Sequence, residues 1–128
     1  MSRTLLAFAL LLLSAAGPEV LAAEAPYDAA TFQRLLASGA PFAVDFHADW
    51  CPTCRAQAPV LRSLTQRPEL AHVTVLVADY DQESALKKSL KVSAQSTIVV
   101  FSHGKEVARS TGETSEAALN RLLRTALS

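Results

Sequence analysis

Val44-Asp45-Phe46-His47-Ala48-Asp49-Trp50-Cys51-Pro52-Thr53-Cys54-Arg55 holds the only two cysteines of the chain, and its reading decides the fold. Phe42 to Phe46 is an apolar run interrupted by a single charge, which predicts a buried strand. From Pro52 to about Gln66, Ala56, Val60, Leu61 and Leu64 recur at helical period. Pro52 suits the first turn, where its missing N–H is not needed, and Pro59 should kink the helix from inside. Cys51 is thereby placed at a helix N-terminus and at the C-terminal end of a strand, where the ligand-handling loops of open α/β sheets gather.

The flanking segments extend the same pattern. On the N-terminal side, Asp28 can cap a helix through Phe32, Leu35 and Leu36 that ends at Ser38-Gly39, with Pro41 as a stop. Towards the C-terminus, His72 to Ala78 alternates and is rich in Val and Leu, a strand, and Gln82 to Leu90 places Ala85, Leu86 and Leu90 on one helical face. Thr97 to Phe101 is a β-branched run, Ser102-His103-Gly104-Lys105 supplies turn chemistry, and Val107 to Ser110 can return as an antiparallel strand. Gly112 then breaks the chain, and Thr114 or Ser115 can cap a last helix through Ala118, Leu119, Leu122 and Leu123. The order is α/β. Strands separated by helices are expected to run parallel through right-handed crossovers and the last pair antiparallel, giving a mixed central sheet of about four strands flanked by helices.

The pair Cys51-Pro52-Thr53-Cys54 admits three readings. A bridge closing so short a loop removes little unfolded-chain entropy, so it is a poor staple. A structural zinc site needs four ligands, and His47, His72 and His103 lie at no spacing typical of a finger or ribbon. Disulfide exchange needs a reachable thiolate and a second thiol near enough to resolve the mixed disulfide, and this spacing supplies both. Unpaired N–H groups and the positive end of the helix dipole would lower the Cys51 thiol pKa, making it the nucleophile, with Cys54, less exposed and less acidic, as resolving thiol. Asp45, six residues before Cys51, is costly to bury and its pKa should rise, so it could take the Cys54 proton. The alternative is that Asp45 faces water on an alternating strand. Trp50 could shield the pair and contact substrates, or simply pack in the core.

Composition bounds the rest. The 128 residues suit one domain. Half are hydrophobic and 19% charged, which is globular rather than disordered. Acidic and basic residues balance at twelve each, and removing Arg3 and Glu19 leaves them equal. The scattered charges, with Lys87, Lys88 and Lys91 as one small cluster on a helix, argue against nucleic acid as a partner. Residues 1–23 read as a cleaved secretory signal: Arg3, an apolar run from Leu5 to Ala16, a break at Gly17-Pro18, and Leu21-Ala22-Ala23 before the cut. Twelve apolar residues are short of the ~20 that span a bilayer, although an uncleaved anchor is the alternative. The mature domain is expected over residues 24–128, periplasmic and monomeric, without a cofactor or bound metal.

At this point the residues resemble the thioredoxin family: a buried Asp at Asp45, the Trp50-Cys51-x-x-Cys54 motif with a basic residue at Arg55, a helix-kinking proline at Pro59, and a glycine at Gly112 before the last helix. The likeness covers about residues 28 to 126, and Ala48-Asp49-Trp50-Cys51 is similar to the periplasmic C-terminal thioredoxin domain of the bacterial transmembrane thiol-disulfide transporter. The resemblance implies substrate contacts at Trp50, Pro52, Thr53, Gln95 and Ser96. Three residues depart from it. Ser96 stands where the family has a cis-proline, and the bond before it is expected to be trans, since cis costs ~2.5–4 kcal/mol before a non-proline residue. Its hydroxyl could bond to Cys51 or leave room for a metal ion. Val77 stands where a lysine is common, and the uncharged Pro52-Thr53 between the cysteines places the potential in the reducing or intermediate range. The implied enzyme reduces disulfides in exported proteins and is recharged by a membrane donor or another thioredoxin-like protein. A non-catalytic binding, chaperone-like or metal-binding module is the alternative.

Overall fold

The computed structural model describes residues 23–128, so the leader lies outside the described residues. Strand β1 (Glu24–Pro26) is followed by α1 (Ala29–Ser38), β2 (Phe42–His47), α2 (Pro52–Thr65), β3 (Thr74–Asp79), α3 (Ser84–Leu90), β4 (Thr97–Ser102), β5 (Lys105–Thr111) and α4 (Glu116–Arg124), with single 3-10 turns at Pro68–Leu70 and Thr125–Leu127. The sheet has five strands in the order β1-β3-β2-β4-β5. The additional strand, β1, pairs parallel with β3 through Glu24↔Val75 and Pro26↔Val77. It is three residues long and ends in a proline, too short for any periodicity to show and tolerable only at an edge.

One expectation about direction is corrected. β3 runs parallel to β2, but β4, although separated from β3 by a helix, runs antiparallel to β2. The reason is length. Six residues of β3 carry the chain about 20 Å, whereas the seven residues of α3 return it only about 10 Å. The chain is therefore still at the sheet end where β3 finished when β4 begins, and β4 must run back. The β4–β5 hairpin closes on His103-Gly104, both with positive φ (53° and 76°), the geometry of a tight two-residue turn; a Cβ on Gly104 would also sit 3.2 Å from the Leu36 carbonyl.

Strand alternation splits the core between two faces. On one, Phe42, Val44 and Phe46 of β2 pack with Leu76, Val99 and Phe101 beneath α1 and α3. Phe42 and Phe101 stack at 4.7 Å between ring centres, and Phe32 of α1 meets both edge-on at 5.7 Å. On the other face, Ala43, Val75, Ile98 and Val100 lie beneath Leu61 and Leu64 of α2 and Leu119 and Leu123 of α4. The buried stripe of α2 is Cys54, Gln57, Leu61, Leu64 and Thr65, so Ala56 points to solvent, against the helical face read from the sequence. Likewise Leu86 alone of α3 is fully buried and Ala85 is exposed. Asp45 shares the second face with Ala43, which puts its carboxyl on the side of the sheet covered by α2, the helix that Cys51 caps.

Candidate active site

β2 leads through Ala48-Asp49-Trp50 to Cys51, whose N–H closes a turn on the Ala48 carbonyl at 3.1 Å. Cys51 is the cap of α2: its backbone is extended (φ −85°, ψ 116°) and its Sγ accepts the Cys54 N–H at 3.2 Å. A cysteine thus occupies the place usually held by Ser, Thr, Asp or Asn, because it precedes Pro52 in the first turn and points its sulfur at otherwise unpartnered amides. Both cysteines are free thiols. Cys51 is 2% exposed and Cys54 1%. Where a reachable sulfur is expected at Cys51, this reduced form covers it, packing it with Ala48 and Cys54 beside Tyr80. Cys54, one turn into α2, is covered at least as fully, and desolvation is the largest influence on both thiols.

Burial alone would push the Cys51 thiol up. The neighbouring Cys54 thiol, with hydrogen bonds from the Ser96 hydroxyl and the backbone N–H groups of Cys54 and Thr53, outweighs it and brings the pKa down to about 7. Desolvation raises Cys54, and the Cys51 sulfur beside it raises it further. The two sulfurs are thus driven apart in acidity. Asp45 is 2% exposed, with Oδ1 unpaired among the described residues. Desolvation raises its pKa to about 7; His47 opposes this and the Glu24 carboxylate on β1 adds to it. Val77 is its register partner on β3, so no lysine offsets its burial there.

Ser96 meets both sulfurs. The peptide before it is trans, as no bond among the described residues is cis, and its φ is +61°. Its Oγ lies 2.9 Å from Cys54 Sγ and 3.4 Å from Cys51 Sγ. It is 2% exposed, so its side chain faces the dithiol from within rather than a docking substrate. Trp50 is 58% exposed, which excludes the core-packing alternative, and its Nε1 donates to Asp81 Oδ2 at 2.7 Å. Pro52 is exposed, while Thr53 and Gln95 are half-buried at the rim. Among the described residues no three His, Cys, Asp or Glu side chains converge. Sequence reading missed Gln57, which is 1% exposed, one turn beyond Cys54, and donates to the carbonyls of Ser96 and Glu113. Its signal was a polar residue in register with Cys54, Leu61 and Leu64.

An acidic thiol capping a helix, a deeper and less acidic partner one turn on, and a buried carboxyl on the preceding strand define a dithiol-disulfide exchange enzyme on a mixed α/β sheet. Comparison with family models matches residues 24–125 to Thioredoxin. The thioredoxin of Chlamydia trachomatis serovar D is 38% identical over 92 residues, covering 72% of this chain and 87% of that one. Among solved structures, Trxlp from Edwardsiella tarda is 41% identical with a TM-score of 0.76, covering 78% of this chain and 97% of its own. Fasciola hepatica thioredoxin is 31% identical with a TM-score of 0.67, covering 78% and 95%. The chain belongs to the thioredoxin family, and it is a thiol-disulfide oxidoreductase of that type.

Proposed function

We propose that the chain is a periplasmic thioredoxin that reduces disulfides in exported proteins, with Cys51 as nucleophile, Cys54 as resolving thiol and Asp45 as proton acceptor. The observation that carries the roles is the Cys51 sulfur capping α2, hydrogen-bonded to the Cys54 amide and to Ser96. The Cys51 thiolate attacks one sulfur of a substrate disulfide, forming a mixed disulfide and expelling the other substrate sulfur as thiolate. Cys54 passes its proton to ionised Asp45, and the resulting thiolate attacks Cys51 Sγ. The Cys51–substrate bond breaks, the second substrate thiolate leaves, and the enzyme holds a Cys51–Cys54 disulfide with Asp45 protonated. Trp50 and Pro52, exposed beside the pair, with Thr53 and Gln95 at the rim, form the surface on which the substrate lies.

Export rests on the leader read in residues 1–23, and reduction in that compartment requires a donor. The likeness of Ala48-Asp49-Trp50-Cys51 to the periplasmic domain of the transmembrane thiol-disulfide transporter supports a membrane protein, or a thioredoxin-like relay, in that role. Catalysed insulin reduction with dithiothreitol that disappears in Cys51→Ser supports the enzyme; equal activity in the variant leaves only a binding module. Protein released by osmotic shock with its N-terminus near Glu24 supports export, and intact protein in the cytoplasm opposes it. A reduction potential between about −270 and −150 mV is expected, and a higher one overturns the reducing direction.

A further inference from the structure

Ser96 is a non-glycine residue in the left-handed region, at φ +61°, and three hydrogen bonds hold its main chain there. Its N–H donates to the Phe46 carbonyl at 2.8 Å, a bond that a proline at this position could not make. Its carbonyl accepts from the Gly112 N–H at 3.0 Å and from Gln57 Nε2 at 3.4 Å. Gln57 Nε2 also donates to the Glu113 carbonyl at 2.8 Å. Because both neighbours are carbonyls, the amide nitrogen must face them, which fixes the orientation of the carboxamide. Gln57 thus ties the segment carrying Ser96 to the loop before α4, from within the same helix that carries both cysteines.

We propose that Gln57 and Ser96 are a positioning pair for the exchange reaction: the Gln57 carboxamide fixes the Ser96 backbone, and the Ser96 hydroxyl then accepts from the Cys54 thiol while donating to the Cys51 thiolate. The hydroxyl can fill both roles at once because it has one proton and two lone pairs. With Oγ between the sulfurs at 2.9 and 3.4 Å, the order Cys54 S–H, Ser96 O–H, Cys51 S⁻ leaves every proton with an acceptor. Reduced enzyme then keeps its charge on Cys51 and its proton on Cys54, the distribution that attack requires. Once Cys51 is bonded to a substrate sulfur its charge is gone, and the hydroxyl loses the acceptor that aligned it. Cys54 is then freer to give up its proton for resolution. No bond to Ser96 forms or breaks.

This inference rests on the exchange reaction proposed above, and the test separates the two. Thiolate absorbance at 240 nm is followed against pH in the reduced full-length protein, with insulin reduction in parallel, for wild type, Ser96→Ala, Ser96→Thr, Gln57→Met and the Ser96→Ala/Gln57→Met double variant. Circular dichroism checks folding. Ser96→Ala should raise the Cys51 transition by roughly one pH unit, as expected for a hydrogen bond to a charged group, and Ser96→Thr should restore it. Gln57→Met should move it the same way by less, and the double variant should match Ser96→Ala alone, because Gln57 acts only through the hydroxyl. A Ser96→Ala transition within 0.2 units of wild type, in an enzyme that turns over, overturns the pairing alone. Additive shifts in the double variant overturn the route through Gln57. Wild type with no transition near neutrality and no turnover overturns both readings together.

Discussion

Asp45 sits in the middle of β2 with one carboxyl oxygen unpaired among the described residues, and that is where pH acts most directly. Burial raises its pKa from 3.8 to about 7, so between those values the native state binds a proton that the unfolded chain has released. Its effect on stability is therefore most favourable below about pH 4 and is lost as pH rises to 7. Asp45→Asn should gain about 3 to 4 kcal/mol over wild type at pH 8 and little at pH 4, read by urea unfolding at both pH values. The same variant should slow disulfide reduction on the order of 10²-fold near pH 7.5 if Asp45 is the proton acceptor proposed for resolution, and an unchanged rate overturns that role. Asp45 was legible because a charge inside an apolar run has few explanations. Gln57 was not, since Ala56, Val60, Leu61 and Leu64 define the helical pattern, and only the last two of these lie in the buried stripe that also holds Cys54 and the polar Gln57. The role of Ser96 could be suspected from its departure from the family, but its contact with both sulfurs depends on a positive φ that serine rarely adopts.

At the scale of the elements, helices with strong caps and apolar faces were readable to within a residue or two. Asp28 caps α1, accepting the Ala30 and Thr31 amides, and Ser115 caps α4, accepting the Ala118 amide. What escaped was governed by lengths and ends: β1 is too short to carry a pattern, and the brevity of α3 reverses β4. The missed strand matters to the site. β1 brings Glu24 beside the raised carboxyl of Asp45, with Glu24 Oε2 buried and unpaired among the described residues, next to a cavity of about 590 Å³ lined by Pro26, Arg62, Thr65 and Val77. Glu24→Gln removes a like charge, so the Asp45 titration, followed by the carboxyl infrared band, should move to lower pH; an unmoved transition would show that desolvation alone sets it. On the same face, Leu119 of α4 is completely buried between α2 and the sheet. Leu119→Ala should cost about 3 kcal/mol in urea unfolding, and because Leu119 packs in a different buried cluster from the cysteines, the Cys51 transition should stay in place.

Taken whole, the molecule is one sheet with a core on each face and its chemistry at one end, and this much follows from strands alternating with helices around a cysteine pair. Electrostatics at this scale is equally plain. Positive and negative residues are equal in number with or without residues 1–23. Around the dithiol, exposed Asp49 and Asp81 stand with Arg55, which donates to the Asp49 carbonyl at 3.1 Å. Steered association needs a field of one sign across the approach, and where it exists it raises encounter rates 10- to 10³-fold and fades with salt. With total charge balanced and both signs at the rim, strong steering is not expected, and the substrate surface proposed at Trp50 would select by contacts made after encounter. Two disulfide peptides that differ only in net charge, −3 and +3, should therefore be reduced at rates within about threefold of each other at 20 mM salt, and neither rate should change more than about twofold at 200 mM. A tenfold preference that salt abolishes would place a charged docking surface beside the pair and make electrostatics, rather than the surface proposed around Trp50, the source of specificity.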